Sequence, residues 1–596
     1  MVGFAALVVA TIAAFFITQH LKSNTPLIDG MTHPAPFSDN GDGCRRRTSI
    51  NFYLLHRSDS VSVFVVDSEG NVVQTIASGV EMHKPTARDN KVRRTFYWYG
   101  HEEDGRLAPN GTYYFRVALA SQGRIVELTQ DPIVLDTVPP HLVVTGVSPS
   151  QLPAPGGTPA TIRFTGSTGR GGYLIIYRTG LGGPPQVVDA RRIPFSKRSA
   201  DGYTKTWNGL VHGRPAPAGT YVMALKVTDR ACVTGTFPAY LPPQVGTTTH
   251  AGVTVSYLAA EPPLDPVPAG ATAIVGVAAD RRPYHWALRG VGANRKPVER
   301  GSGTSTSLRV RLPRRSEGLY ELAIRAGGHR TVVPLVARAS ASSHHILVVL
   351  PVLSWQGANP VDDNGDGFPD TLTAGGPIVL HRSLADGLPP GFPGEASLLA
   401  YLNRSGMPYD LTTDVALADG SGPTLSGHSG VVFAGPELWL PAGLGPALQR
   451  YVEQGGRVLT LGVGSLRRTA AVKETAAGLE AVDPSSVAAT DVLDGRPGPL
   501  VSHNAEAIVA IRDGLGLFNG TSGTFSGFGS FEAMTTVAPA RIVAEAGTTS
   551  QTPSIVGYRL GSGAVLDIGL PAFTASLAHD VDTQELLRRL WTILSQ

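Results

Sequence analysis

The sequence has little cysteine and little excess charge, and each shortage excludes a class of protein. Two of its 596 residues are cysteines, Cys44 and Cys232, which rules out a disulfide scaffold. They fall in different predicted domains, so we expect both to be unpaired. The 50 basic and 47 acidic residues nearly cancel, and no basic run is longer than Arg45-Arg46-Arg47. Nucleic acid is therefore not an expected partner.

Long apolar runs are scarce, and the longest uncharged one stands at the N-terminus. Residues 2–18 are 17 residues without a charge, at the short end of the roughly 17–25 residues that span a bilayer. The run lacks the basic start and the small-residue cleavage site of a secretory signal. The sequence thus predicts an uncleaved transmembrane helix within residues 1–24 of a single-pass cell-membrane protein, with its C-terminal domains outside the cell. Lys22, just after the run, favours the opposite orientation, with the C-terminal side kept inside, because basic residues flank a membrane helix on its cytoplasmic side.

Glycine and proline, in contrast, are abundant. The chain has 70 glycines and 46 prolines without a strict period, which indicates many turns between short strands. At roughly 100–200 residues per domain, the length predicts about four domains. The predicted domains after the anchor are three β domains at 25–139, 140–255 and 256–339, followed by an α/β domain at 340–596.

An internal repeat supports the β domains. The stretch "GRLAPNGTY" at 105–113 recurs 108 residues later as "GRPAPAGTY" at 213–221, and a Trp-x-Gly precedes each copy, at Trp98 and Trp207. A fainter third copy contains Gly318 and Tyr320. A period near 100 residues suits tandem β-sandwiches, in which the tyrosine ring packs on the core. We interpret these residues as serving the fold alone.

These elements resemble a known bacterial repeat. Together with "FSDNGDG" at 37–43, they are similar to the immunoglobulin-like repeat named after the flagellar hook-capping protein, which also occurs in bacterial surface proteins. The likeness is good over 36–140, fair over 141–245 and faint over 256–338. It implies tandem all-β immunoglobulin-like sandwiches and no flagellar function.

From about residue 340 the pattern changes to alternating strands and helices. "HHILVVLPVL" is a continuous apolar run, as in a buried parallel strand, and helical patterns such as "EASLLAYLNRSG" alternate with further strands. The pattern predicts a C-terminal α/β domain with a mostly parallel sheet. In the last predicted helix, Asp582 is the expected N-cap and an apolar stripe faces the core: Leu586, Leu587, Leu590 and Ile593.

Four stretches of this domain resemble the C-terminal domain of the large subunit of N,N-dimethylformamidase. They are 355–359, "YDLTTDVAL", 436–439 and "YVEQGGRVLTLG", and the likeness spans most of 345–596. It implies a class I glutamine amidotransferase-like fold. Neither cysteine lies in this domain, so the thiol chemistry of amidotransferases is excluded. Ser465 could replace the thiol only with a base beside it, and His428, His503 and His579 show no telling spacing.

The same resemblance implies a mononuclear iron held by tyrosine and carboxylate side chains. Relatives often read His-Pro-Glu-Tyr-Trp where this chain has Gly435-Pro436-Glu437-Leu438-Trp439. Leucine cannot bind a metal, and a lone glutamate is often a capping residue, so amidase activity does not carry over and no catalytic residue is predicted. Ligands of open α/β sheets sit outside the carboxyl ends of the strands, which makes Glu437, Trp439 and Ser465 the candidate pocket.

The stretch "VDDNGDGFPD" at 361–370 has the ligand order of a calcium loop, with Gly367 at the sharp turn. The predicted Ca²⁺ ligands are Asp362, Asn364, Asp366, Phe368 through its carbonyl, and Asp370. Thr373 stands where a bidentate glutamate is expected, so the site would be weak and would need other ligands. The alternative is a metal-free turn. The shorter copy at 37–43 is followed by arginines and is predicted to be only a turn.

The function expected from the sequence is display at a bacterial cell surface. A membrane anchor carries an immunoglobulin-like stalk, and the amidotransferase-like head binds an unknown ligand or protein without catalysis. The alternative is a hydrolase acting on an amide, as the formamidase likeness implies, or on a saccharide. A third interpretation, a purely structural envelope protein, predicts no pocket.

Overall fold

The computed structural model describes most of the chain and is mostly β, with about 45% strand and 12% helix. The described residues are 8–15, 27–29, 36–39, 46–86, 93–152, 157–166, 171–193, 202–292, 296–314, 317–341, 344–476, 478–502, 506–548, 550 and 552–596. Helix α1 is described over residues 8–15. Four successive portions of the chain follow it, each built on its own sheets.

The first β portion has a three-stranded sheet, β1-β2-β5, and a second sheet, β4-β3-β6-β7, in which β8 also pairs with β6. Apolar residues alternate along β2 and β3 and meet in one hydrophobic cluster. The strands are β1 Ile28–Asp29, β2 Thr48–Leu54, β3 Asp59–Val66, β4 Val72–Met82, β5 Arg94–Trp98, β6 Gly111–Leu119, β7 Arg124–Glu127 and β8 Ile133–Leu135.

The second β portion repeats the two-sheet plan. One sheet has the order β10-β19-β17-β12-β13 with β18 on β17, the other has the order β14-β11-β9, and β15 and β16 form a hairpin. The strands are β9 Leu142–Ser148, β10 Gln151–Leu152, β11 Ala160–Gly166, β12 Gly171–Arg178, β13 Gln186–Ile193, β14 Tyr203–Trp207, β15 Leu210–Val211, β16 Arg214–Pro215, β17 Gly219–Thr228, β18 Thr234–Phe237 and β19 Gly252–Val255.

The third β portion has sheets β20-β22-β25 and β21-β27-β26-β23-β24 around a further cluster. Its strands are β20 Ala259–Glu261, β21 Val267–Pro268, β22 Thr272–Ala278, β23 Tyr284–Gly290, β24 Glu299–Gly303, β25 Ser307–Arg311, β26 Gly318–Ala326 and β27 His329–Arg338.

The C-terminal portion is organised around a nine-stranded sheet with the order β30-β28-β31-β33-β42-β41-β40-β37-β38. Smaller sheets, β29-β35-β34-β32 and β36-β39, lie beside it. Its strands are β28 Ile346–Leu350, β29 Ile378–Val379, β30 Asp410–Thr413, β31 Gly430–Phe433, β32 Leu440–Pro441, β33 Arg457–Leu461, β34 Thr469–Thr475, β35 Gly478–Val482, β36 Gly495–Ser502, β37 Ile508–Asp513, β38 Thr524–Phe525, β39 Ser530–Thr536, β40 Arg541–Gly547, β41 Pro553–Leu560 and β42 Gly563–Ile568.

Helices pack on this mixed sheet, and the last of them carries the predicted apolar stripe, whose four residues are all buried. The N-cap of that helix is Asp580, which accepts the Thr583 N–H, and not Asp582 as predicted. The helices are α2 Val352–Gly357, α3 Phe392–Ser405, α4 Asp414–Asp419, α5 Leu444–Glu453, α6 Phe573–Ser576 and α7 Val581–Leu594, with a 3₁₀ turn at Leu372–Ala374.

The prediction of a mostly parallel C-terminal sheet is wrong. The pairings among β30, β28, β31, β33 and β42 are parallel, but those among β42, β41, β40, β37 and β38 are antiparallel. The connections explain the difference. Two residues join β41 to β42, whereas a parallel pair needs a crossover of a dozen or more residues.

The two clear copies of the internal repeat make the same contacts. The indole N–H of Trp98 donates to the His101 carbonyl, and that of Trp207 to the Leu210 carbonyl. Each tryptophan packs against the tyrosine of its own copy, with ring centroids 4.8 Å and 5.1 Å apart. Each tyrosine hydroxyl donates to the carbonyl of the proline four residues earlier. Both tryptophans are fully buried, as expected for residues that serve the core.

The predicted transmembrane helix is also wrong. Helix α1 is described over eight residues, 8–15, which is about 12 Å of helix at 1.5 Å per residue, against the roughly 30 Å of a bilayer core. No helix among the described residues is long and apolar enough to cross a membrane. Membrane anchoring, membrane partnership and the single-pass cell-membrane location therefore lose their support. Residues 2–7 and 16–18 of the predicted span lie outside the described residues.

The prediction of unpaired cysteines fails for Cys232, which is disulfide-bonded. Cys44 lies outside the described residues, as do residues 40–43 of the shorter Asn-Asp-Gly stretch. The Ser38 and Asp39 positions of that stretch are described, and Asp39 lies 3.4 Å from the His101 ring nitrogen.

Candidate functional site

The parallel half of the mixed sheet brings the predicted pocket residues to one edge. Strands β31 and β33 are neighbours, and Glu437 and Ser465 follow their carboxyl ends. The Ser465 hydroxyl accepts the Glu437 N–H at 3.1 Å. Glu437, Trp439 and Ser465 are only 0%, 4% and 6% exposed. The structure therefore brings the three together but encloses them, and ligand binding there stays a prediction.

Two further carboxyl groups, which the sequence analysis did not select, lie near Glu437. Asp414 opens helix α4 directly after β30, and Glu395 lies in the first turn of α3. The Asp414 carboxylate accepts the Leu353 N–H at 2.9 Å and the Val415 N–H at 2.8 Å. Glu395 accepts the Trp355 indole N–H at 3.3 Å. We call Glu395, Asp414 and Glu437 the buried carboxyl cluster.

Burial favours the protonated form of these carboxyl groups. It raises the pKa of Glu395 to about 8 and that of Asp414 to about 7. Burial, with Asp414 and Glu395 nearby, also raises the pKa of Glu437 well above its ordinary value. Neither Glu437 carboxyl oxygen has a hydrogen-bond partner among the described residues. Because Asp414 already accepts N–H groups, a proton shared by this pair is held by Glu437.

The two serines at this edge have structural partners. Besides its contact with Glu437, the Ser465 hydroxyl donates to the Gly462 carbonyl at 2.8 Å. Ser354 bonds the backbone of Trp439. A nucleophilic serine needs a base within hydrogen-bonding reach, and these hydroxyl contacts are to backbone groups. Ser465 therefore braces the turn after β33.

The residues present do not fit the iron that the formamidase likeness implies. Leu438 packs at the position of a ligating tyrosine. Within the described residues, one group of three His, Cys, Asp or Glu side chains brings its ligand atoms within 4.8 Å of one another, and it consists of Glu317, His344 and Asp410. Glu437 is not among them, and its carboxyl is held neutral against Asp414.

The predicted calcium loop at 362–370 is closed by its own hydrogen bonds. Asp362 accepts the Gly365 and Gly367 N–H groups at 2.7 and 2.9 Å. Asp366 accepts the Phe368 N–H. Asp370 accepts the backbone N–H groups of Asp363 and Asn364 and the side-chain amide of Asn364. Burial and the neighbouring carboxylates raise the pKa of Asp362 to about 7. These side chains hold an Asx-rich turn, and calcium binding stays a prediction.

This loop also joins the C-terminal portion to the second β portion. The Thr179 hydroxyl donates to the Gly367 carbonyl at 2.5 Å, the Thr248 hydroxyl to the Asp366 carbonyl at 2.8 Å, and the Gly252 N–H to the Gly365 carbonyl at 2.7 Å. Phe368 packs in a small cluster with three residues of the second β portion, Tyr177, Val222 and Ala224. The loop thus has an interdomain role that its sequence pattern did not indicate.

A cleft of about 620 Å³ opens beside this junction. All but the first β portion contribute to its walls. Arg178 comes from the second β portion, and Tyr257 from the segment that follows it. His329 and Arg330 come from the third β portion, and Asp386 from the C-terminal portion. The Tyr257 and His329 rings stack at 4.2 Å. The Arg178 guanidinium donates to the Ala218 carbonyl through Nη2, while its buried Nε has no partner among the described residues.

Different signals could have indicated the missed residues. Asp414 directly follows the strand "DLTT" and sits at a helix start, so the rule for strand ends that selected Glu437 also applies to it. Glu395 lies on a helix and is separated from Glu437 by 42 positions, so no local pattern marks it. The cleft residues come from three portions of the chain, which sequence spacing does not bring together.

Comparison with known proteins connects part of the chain with one enzyme family. Residues 277–478, about a third of the chain, match the family described as N,N-dimethylformamidase beta subunit-like, C-terminal. Curated relatives include the C5a peptidases of Streptococcus pyogenes and of its serotype M1, each 29% identical over 117 residues. The match covers 18% of this chain, and the chain spans about a tenth of the length of these relatives.

Solved structures give weaker likenesses. An exo-beta-1,4-mannosidase from an Opitutaceae bacterium is 14% identical over 42% of this chain and 36% of its own, with a TM-score of 0.24. A marsupial T cell receptor is 11% identical over 52% of this chain and all of its own, with a TM-score of 0.20. Scores this low support no conclusion about the fold. The predicted likenesses to hook-capping repeats and amidotransferases are not among these matches. What the comparisons establish is that residues 277–478 are similar to the C-terminal part of dimethylformamidase-like proteins.

Proposed function

We propose that this protein binds a small polar ligand carrying an anionic group and does not transform it. The observation that carries the proposal is the interdomain cleft, in which Arg178 and Arg330 supply two guanidinium groups. Clefts between domains are common ligand sites, and guanidinium groups recognise carboxylate and phosphate groups through paired hydrogen bonds. The unpartnered Nε of Arg178 is a buried donor that a ligand oxygen would satisfy.

The rest of the cleft favours a polar ligand of this kind. The stacked Tyr257 and His329 rings offer a flat surface, and Asp386 and Ser256 can accept from or donate to hydroxyl groups. The combination suits an acidic sugar or another hydroxylated acid.

The buried carboxyl cluster supports the non-catalytic part of the proposal. An enzyme acting at the strand ends must admit its substrate to within about 3 Å of its acid or base. Glu437 is 0% exposed, and the carboxyl groups of Asp414 and Glu395 lie near it. Substrate would have to displace packed side chains to reach it.

A thermal-shift panel at constant ionic strength tests the binding proposal. The probes are glucuronate, galacturonate, inorganic phosphate and neutral glucose, each with the wild type and with Arg178→Ala, Arg330→Ala and Arg325→Ala. Arg325 is exposed on β26 outside the cleft and is the matched control. We expect stabilisation by an anionic probe that weakens roughly 10- to 100-fold in affinity in both cleft variants, because a charged hydrogen bond contributes about 1.5–3 kcal/mol. Equal shifts in all four proteins would overturn the proposal.

A second candidate function is amide hydrolysis, and the match of residues 277–478 to the dimethylformamidase-like family favours it. Its test is formate release from N,N-dimethylformamide and formamide, followed by NMR, with the metal-stripped protein and with added Fe²⁺. Glu437→Gln serves as the inactive variant. Turnover by the wild type that Glu437→Gln abolishes would replace the binding proposal, whereas absence of turnover in both agrees with it.

A further inference from the structure

A second cluster of charged side chains lies at the opposite end of the parallel strands. Asp410 opens β30, and His344 precedes β28, its parallel neighbour. Because parallel strands start at the same edge, these residues meet there. Glu317 reaches this edge from the start of β26 in the third β portion, and its carboxylate accepts the Leu411 N–H at 2.5 Å.

The three side chains converge as metal ligands do. One ligand atom each from Glu317, His344 and Asp410 lies within 4.8 Å of the other two. Asp410 is buried at 1% exposure, while Glu317 and His344 are partly exposed. Asp410 is therefore fixed inside the protein, whereas Glu317 and His344 leave a path to the site from solvent.

A fourth residue orients Asp410 from behind. His428 Nε2 lies 3.0 Å from Asp410 Oδ2, and its Nδ1 lies 2.7 Å from the Thr424 carbonyl oxygen. The Thr424 carbonyl oxygen only accepts, so Nδ1 carries a proton, and the Nε2 contact holds the Asp410 carboxyl group in place. A histidine–carboxylate contact behind a ligand is the arrangement that orients ligands in metal sites.

We propose that Glu317, His344 and Asp410 form a binding site for a divalent transition-metal ion of the zinc class. One imidazole and two carboxylates suit Zn²⁺, Mn²⁺ or Fe²⁺ better than Ca²⁺ or Mg²⁺, which take oxygen ligands. Three protein ligands leave coordination positions for water. The site is separate from the buried carboxyl cluster and from the cleft, and it does not depend on the proposed function.

The surroundings of the site support a cation. Glu317 and Asp410 bring two carboxyl groups together at this position, and two ionised carboxylates repel each other without a positive charge between them. Glu317 belongs to the third β portion and the other two ligands to the C-terminal portion. A bound ion would therefore tie these two portions together and stabilise the folded chain by mass action.

Zinc titration of the full chain, stripped with a chelator, tests the proposal. Isothermal calorimetry at pH 7 is run on the wild type, His344→Ala, Glu317→Gln and His345→Ala. His345 is the matched control, since it is the adjacent histidine, is exposed and lies outside the cluster. Co²⁺ absorption in the visible range then reports the coordination directly, because it depends on the ligands and not on protein stability.

We expect one equivalent of Zn²⁺ to bind the wild type and His345→Ala with the same affinity, and at least 10-fold more weakly after His344→Ala or Glu317→Gln. The Co²⁺ spectrum of the wild type should disappear in His344→Ala. Each variant is checked by circular dichroism, and Glu317→Gln retains an oxygen that can accept the Leu411 N–H. The proposal is overturned if the wild type binds no Zn²⁺, or if His344→Ala and His345→Ala reduce affinity equally.

Discussion

Replacing Glu395 with glutamine is expected to flatten the dependence of stability on pH. Glu395 is 0% exposed, and burial raises its pKa to about 8 from an ordinary value of 4.5. In the unfolded chain this carboxyl ionises near its ordinary pKa, while in the folded protein it keeps its proton to about pH 8. Its contribution to stability is therefore fully present below about pH 4.5 and is lost as pH rises toward 8.

The size of this effect follows from the two pKa values. Between pH 5 and pH 8, proton linkage with a shift of this size gives a loss on the order of 3 kcal/mol for this one carboxyl. Glu395→Gln retains the oxygen that accepts the Trp355 indole N–H but cannot ionise. Its amide N–H₂ group adds a buried donor, which costs about 1–3 kcal/mol at every pH. The variant should thus be less stable than the wild type at low pH and should equal or exceed it near pH 8.

The assay is urea unfolding at pH 5, 6, 7 and 8, followed by tryptophan fluorescence, since Trp355, Trp439 and Trp591 all lie in the C-terminal portion. Glu453→Gln, at the exposed end of α5, is the control and should keep the wild-type slope. Other buried carboxyls with raised pKa values, such as Asp567, contribute equally to all three proteins. If Glu395→Gln and the wild type lose stability in parallel over this range, Glu395 is not the protonated group that we infer.

Three further predictions concern the loop at 361–370. Calorimetric titration of the metal-stripped chain with Ca²⁺ should show one weak site, with a dissociation constant of roughly 10⁻⁴–10⁻³ M, that Asp366→Ala removes; flat traces for both would leave the loop a turn. Phe368→Ala should lower stability by about 3–5 kcal/mol, measured by urea unfolding; no change would mean that its cluster does not hold the junction. Gly367→Ala should destabilise far more than Gly365→Ala in the same assay. Both glycines have positive φ, but only at Gly367 does an added Cβ meet the Tyr221 carbonyl, at 2.6 Å; equal losses would contradict this reason.

Local sequence patterns predicted the local parts of the fold well. The 108-residue repeat predicted that Trp98 and Trp207 serve the fold, and their indole N–H groups donate to equivalent carbonyl oxygens in the two copies. The apolar run at 346–350 forms a strand buried along its whole length. In both cases the structure depends on burial and short-range contacts, and these can be predicted from residue type and spacing.

The long-range pairings could not be predicted in this way. Strand β37 is mostly exposed and β41 mostly buried, so the burial pattern alone does not separate antiparallel from parallel partners. The two-residue link between β41 and β42 does separate them, because it is too short for a parallel crossover. For the site, the rule for strand ends located Glu437, and the structure added the partners that change its chemistry. Asp414 and Glu395 decide whether Glu437 is charged, and both reach it through tertiary packing.

Strand β30 connects the two carboxyl clusters and shows why they differ. Asp410 opens this strand, and Asp414 directly follows it, so the two lie about 13 Å apart at roughly 3.3 Å per residue. Around Asp414 every partner is a carboxyl or a backbone N–H, and the cluster is sealed from water, so burial favours the protonated form of its carboxyl groups. Around Asp410, His428 fixes one oxygen while His344 and Glu317 stand toward solvent. A cation can reach that end and replace the missing positive charge, which is why we place the metal at the amino ends of the strands and not at Glu437.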